Sequence, residues 1–76
     1  MARYFFHIVD DSRRISDDEG MELSGLMAVA QEAEASAKDA LRHGFKTHRP
    51  MDDRRIEVTD ERGTIILVQL LRALTR

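Results

Sequence analysis

His7 is the residue best suited by type to do chemistry, as a general base, a proton shuttle or a metal ligand, and it sits in the run Arg3-Tyr4-Phe5-Phe6-His7-Ile8-Val9. Metal ligation needs several convergent donors. The other two histidines, His43 and His48, lie across a predicted helix end in a different segment, so no zinc site is expected. A lone histidine among aromatic residues is more often half-buried against a backbone or carboxylate partner. The acidic runs Asp10-Asp11 and Asp17-Asp18-Glu19-Gly20 raise calcium chemistry, but neither has alternating oxygen ligands and a glutamate closing a loop of about twelve residues. They read as solvated turns. Ser12, Ser24 and Ser36 have no base at a recognisable spacing, so nucleophilic catalysis is not expected. The residues therefore predict no catalytic group, no cofactor and no metal, and the protein is expected not to be an enzyme.

A second chemistry belongs to the basic segment 42–55, where Arg42, His43, Lys46, His48, Arg49, Arg54 and Arg55 are opposed by Asp52 and Asp53. Such a patch would contact phosphate oxygens. Its one aromatic, Phe45, is better used as a plug over a helix end than as a stacking platform for bases. With a formal net charge of −2 and 34% charged residues of both signs, the chain lacks the footprint of a dedicated nucleic-acid binder. Weak nucleic-acid binding through Arg42, Lys46, Arg49, Arg54 and Arg55 is the alternative function, not the leading one.

The elements that must position these residues follow from periodicity. The 76 residues predict a single domain, 1–76, near the size at which one core supplies only about 3–5 kcal/mol. Without cysteine neither a disulfide nor a cysteine zinc site can add to that, which leaves oligomerisation as the common remaining staple. The N-terminal apolar run is too short for a signal peptide, and no stretch approaches the roughly 20 apolar residues of a membrane span. A soluble, cytoplasmic protein is expected.

Tyr4 to Val9 is rich in aromatic and β-branched residues and ends in a polar turn, the pattern of a strand entering a hairpin. Arg14-Ile15-Ser16 predicts a short second strand. Ser24 is the expected N-cap of an amphipathic helix over 25–43, with Leu23 and Ala28 as a hydrophobic staple. Leu26, Val29, Ala30, Ala33, Ala37, Ala40 and Leu41 form its apolar stripe, and Glu34 with Lys38 an i,i+4 pair on the wet side. Gly44 is the expected C′ residue. After a loop over 46–53, the segment 54–59 alternates as a strand with Ile56 and Val58 inward. Asp60 to Gly63 is a hairpin turn, and 64–71 is a second strand apolar on both sides. The fold class is α+β, a two-layer ββαββ with one amphipathic helix packed on a four-stranded, mostly antiparallel sheet. Strand order 2-1-3-4 is fully antiparallel, whereas 2-1-4-3 makes the first and last strands parallel neighbours. The last strand is too apolar for a free edge, so it is either central or an edge buried against another subunit.

Arg3-Tyr4-Phe5-Phe6-His7 with Asp10, then Asp18-Glu19-Gly20-x-Glu22-Leu23 before an alanine-rich helix, then Ile56-Glu57-Val58-x-Asp60-Glu61-x-Gly63, resemble a family of small uncharacterised proteins of rhizobia and related proteobacteria. That family is known only as a domain of unknown function. The resemblance runs to about Leu70; Asp11 departs from a usual glycine, Arg54-Arg55-Ile56 from a more aromatic strand start, and 71–76 has no counterpart. It implies the ββαββ fold and brings no activity or cofactor.

Two strands apolar on both faces, with one helix to cover them, predict a self-associating module, a homodimer with a further protein partner allowed. Tyr4, Phe5, Phe6, His7, Ile66, Val68 and Leu70 are the candidate interface residues.

Overall fold

Alternation and helical spacing resolve into β1 (Ala2–Val9), β2 (Arg14–Ile15), β3 (Met21–Leu23), α1 (Leu26–Arg42), β4 (Arg55–Thr59) and β5 (Ile65–Leu70), followed by a 3-10 turn at Leu71–Leu74. The structure, a computed structural model, describes residues 1–10, 12–42 and 54–74. The helix-end features expected at Gly44 and Phe45, and the loop over 46–53, lie outside them.

One helix packs on an antiparallel sheet of order β2-β1-β4-β5. The order 2-1-3-4 is therefore the one realised, and the last long strand is an edge. A fifth strand joins the predicted four: Met21–Leu23 pairs with Ala2–Tyr4 farther along β1. Three residues of mixed polarity carry no strand signal of their own, and β3 exists because the chain continues along the β1 edge after β2.

The core is built on close approach. Val29, Ala33 and Ala37 are fully buried and Ala40 nearly so, at the three- and four-residue spacing of one helical face. Alanine at these positions lets α1 lie close to Ile56 and Val58 of β4, with Tyr4, Phe6 and Ile8 of β1 packed around them. Leu26 and Ala30, expected in the stripe, are exposed: Leu26 precedes Val29, where the buried line begins, and Ala30 lies to one side of the line through Val29, Ala33, Ala37 and Ala40.

Three local features differ from expectation. Val29 N donates to the Gly25 carbonyl at 3.0 Å and α1 begins at Leu26, so Gly25, not Ser24, stands at the N-cap and the Leu23–Ala28 staple does not apply. Leu71 is not strand: it turns into the 3-10 segment, its N–H donates to the Arg54 carbonyl at 3.1 Å, and its side chain is fully buried in the core. Between Val58 and Thr59 the β4–β5 register shifts, Val58 facing Leu67 and Thr59 facing Ile65. Ile66 is the extra residue of this bulge, and it packs against the core together with Leu67.

Candidate functional site

The face of the sheet turned away from α1 is where the chemistry-bearing residues meet. Register sets the pairs: Phe5 opposite Thr59, His7 opposite Glu57, Val9 opposite Arg55, and beyond them Val68 opposite Glu57 and Leu70 opposite Arg55. Cross-strand partners share a face, so His7 and Glu57 stand side by side at its centre.

His7 is buried and both ring nitrogens are engaged. The Asp17 N–H donates to Nδ1 at 3.0 Å. A backbone donor there requires Nδ1 to be bare, so the ring proton sits on Nε2, which donates to Thr59 Oγ1 at 2.9 Å. The Phe5 ring lies stacked beside the imidazole, centroids 6.4 Å apart and planes within 11°. Burial, followed by the nearby Arg14 charge, pushes the His7 pKa down, while Asp17, Glu57 and Asp18 pull it up, and the balance lies below the ordinary value.

Glu57, also buried, is clamped by two guanidinium groups. Arg14 Nη1 donates to Oε1 at 3.1 Å and Arg55 Nε to Oε2 at 2.9 Å. Each carboxylate oxygen thus has its own charged donor, the condition under which a carboxylate tolerates a desolvated position.

Beside His7 the β1 edge is interrupted. Ile8 pairs with Ile15 and Tyr4 with Met21, so the five residues 16–20 lie opposite the three residues 5–7. Asp17 fills the gap: its Oδ2 accepts from Phe6 N at 3.1 Å, its Oδ1 from Glu19 N at 3.2 Å and Gly20 N at 3.1 Å. Burial opposes its ionised form, but the three N–H donors outweigh it and hold its pKa below the usual value. Gly20 closes the segment at φ 72°, and a Cβ there would come within 2.9 Å of the Phe5 ring and of Arg3 Cγ. Only glycine fits both the left-handed backbone and that approach. Arg3 straps the outside, donating to the Glu19 carbonyl at 2.7 Å.

The seven candidate interface residues are divided by the sheet. Tyr4, Phe6 and Ile66 pack toward the core, while Phe5, His7, Val68 and Leu70 lie on the open face. Of the basic segment, Arg54 and Arg55 are described and both are engaged within the chain, Arg55 through Glu57. Arg42 is the last residue of α1; Lys46, Arg49, His43 and His48 lie outside the described residues. Asp17, Thr59, Glu57 and Arg14 were not among the sequence candidates. Asp17-x-x-Gly20 carried a signal, since an aspartate that accepts from the N–H groups two and three residues on makes a local turn. Asp10 does the same with Ser12 and Arg13. Among the described residues no buried side-chain nitrogen or oxygen lacks a partner, and no cluster of three or more His, Cys, Asp or Glu is arranged to hold a metal ion.

Comparison with known proteins places the chain. The sequence profile of the domain of unknown function DUF6894 matches residues 3–72, nearly the whole chain, and the protein belongs to that family. No curated protein and no solved structure matches significantly.

Proposed function

We propose that this member of the DUF6894 family is a non-enzymatic module that works by association in the cytoplasm, first with a second copy of itself through the outer edge of β5. The observation that carries this reading is the character of that edge. Ile65-Ile66-Leu67-Val68-Gln69-Leu70 holds no charge and pairs with β4 on one side; among the described residues nothing pairs with its other side. Proteins commonly blunt an edge strand with charge, proline or a covering segment, and a long apolar edge is a template for another strand. Antiparallel pairing of β5 with β5 about a two-fold axis is self-complementary, because one strand supplies both halves of the ladder. It would also cover Ile65 and Val68, each about half exposed in the single chain.

The open face supports the non-enzymatic part. Both nitrogens of His7 and both oxygens of Glu57 are spent on partners within the chain, so neither group is poised to take a proton from a substrate.

Size-exclusion chromatography with light scattering at high micromolar concentration tests the reading. A mass of twice the 8.7 kDa chain is expected, and Val68→Lys, which puts a charge on the exposed edge strand, should return it to a folded monomer. A wild-type chain monodisperse at 8.7 kDa overturns it.

A further inference from the structure

The interrupted edge of β1 depends on the protonation state of one ring. Where ladder hydrogen bonds would normally run, residues 16–20 are attached to β1 by the Asp17 N–H to His7 Nδ1, by the Asp17 carboxylate to Phe6 N, and by Arg3 to the Glu19 carbonyl. The first bond exists only while Nδ1 carries no proton. The tautomer is set at that bond, because the Thr59 hydroxyl can accept from or donate to Nε2, whereas the Asp17 N–H can only donate.

We propose that His7 is a pH-sensitive latch: a second proton on its ring sets two N–H groups against each other at Asp17, frees residues 16–20 and uncovers the Phe5–His7 stretch of the β1 edge. The surroundings do not rescue the charged ring in place. On β2, Arg14 repels it; on β4, Glu57 faces it but is already clamped by Arg14 and Arg55; in the segment itself, Asp17 has its carboxylate turned to three backbone N–H groups and Asp18 is exposed. On its own strand, Arg3 is held by Glu19 and Glu22. Release gives the imidazolium water and leaves the helix side of the sheet, which contributes nothing to the latch, in place.

The test is residue-resolved NMR of the whole chain between pH 7.5 and 4.5. At the upper end His7 should show the Nε2–H tautomer. On acidification the amides of Asp17, Glu19 and Gly20 should shift together and lose about tenfold or more in exchange protection, with a midpoint below the ordinary histidine value of 6.5. His7→Asn, whose Oδ1 stands where Nδ1 does but does not titrate, should abolish the transition; His43→Gln with His48→Gln should leave it unchanged. An Nδ1–H tautomer at pH 7.5, amides at 17–20 that stay still across the range, or an undiminished transition in His7→Asn overturns the proposal, and the tautomer measurement stands even if the variant does not fold.

Discussion

Under α1, β1 and β4 present Phe6, Ile8, Ile56 and Val58 to a stripe of valine and alanine; on the opposite face the same two strands present Phe5, His7, Glu57 and Thr59. Both faces have residues that water barely reaches, since Ile56 and Val58 are about as buried as Thr59 and His7. The means differ. The covered face excludes water by shape, with small residues setting how closely the helix approaches. The open face excludes it by mutual engagement, the nitrogens of His7 and the carboxylate oxygens of Glu57 each lying against a partner from β2, β4 or the 16–20 segment. Faults on the first face are faults of volume, and faults on the second are faults of pairing.

That difference can be broken or sharpened by substitution. Ile56→Ala removes a side chain 1% exposed at the centre of the covered face and should cost about 2–5 kcal/mol in a urea melt. A loss well under 1 kcal/mol would mean that the helix settles onto the gap and that shape is not what holds this face. Ala37→Leu or Ala33→Leu should cost about 1–3 kcal/mol by overpacking, and more than Leu26→Ala, since Leu26 is 63% exposed. Equal melts for these variants would place the alanine stripe in solvent. On the open face Gly20→Ala should cost about 1–2 kcal/mol through its left-handed backbone. The approach to Phe5 should move that ring's NMR signals while those of Val29 and Ala33 stay put. Val68→Thr, at a half-exposed position, should change the stability of the single chain by less than about 0.5 kcal/mol, whereas Val58→Thr buries a hydroxyl and should cost about 1–3 kcal/mol. If the two substitutions behave alike, the faces do not differ as described.

Acid separates the faces as well. A group whose folded pKa is depressed contributes stability that is present above its unfolded value and lost as pH falls through the folded one. Both His7 and Asp17 are depressed, so the open face should weaken in two steps. The first begins below 6.5, from His7, and the second below 3.8, from Asp17. Ile56 and Val58 have no titrating group to lose. Melts at pH 7.5, 5 and 3 that show no decline would contradict both assignments.

The covered face was legible in the sequence because it is written locally. The three- and four-residue spacing of Val29, Ala33, Ala37 and Ala40 and the alternation of Ile56 with Val58 each predict burial from a few neighbouring positions, and both are buried. The open face was not legible, because its bonds join distant residues: Arg14 to Glu57 spans 43 positions and His7 to Thr59 spans 52. No pattern in a short window announces such a pair. Within β1 the division of the interface candidates is plain alternation, Tyr4 and Phe6 on one face and Phe5 and His7 on the other, but the parting of Ile66 from Val68 and Leu70 had another cause. Ile65, Ile66 and Leu67 are all apolar, so the one-residue bulge that sends Ile66 to the core left no mark in the hydrophobic pattern. Edge placement for the last long strand was one of two open alternatives, and the register with β4 decides it.

The long reach of β1 also sets an order in time. Its partner β4 lies about fifty residues farther along the chain, as His7 opposite Glu57 shows. On a ribosome adding about 5–20 residues per second, β1 is made roughly 3–10 s before the strand that will sit beside it. Over that interval the aromatic triplet Tyr4-Phe5-Phe6 can be met from within the chain by the nearby 14–23 segment, which already carries Asp17 and the glycine that fits under Phe5. Nearby contacts close quickly and distant ones slowly. The segment that guards one edge of the finished sheet is therefore also the first pairing partner of β1 to be made.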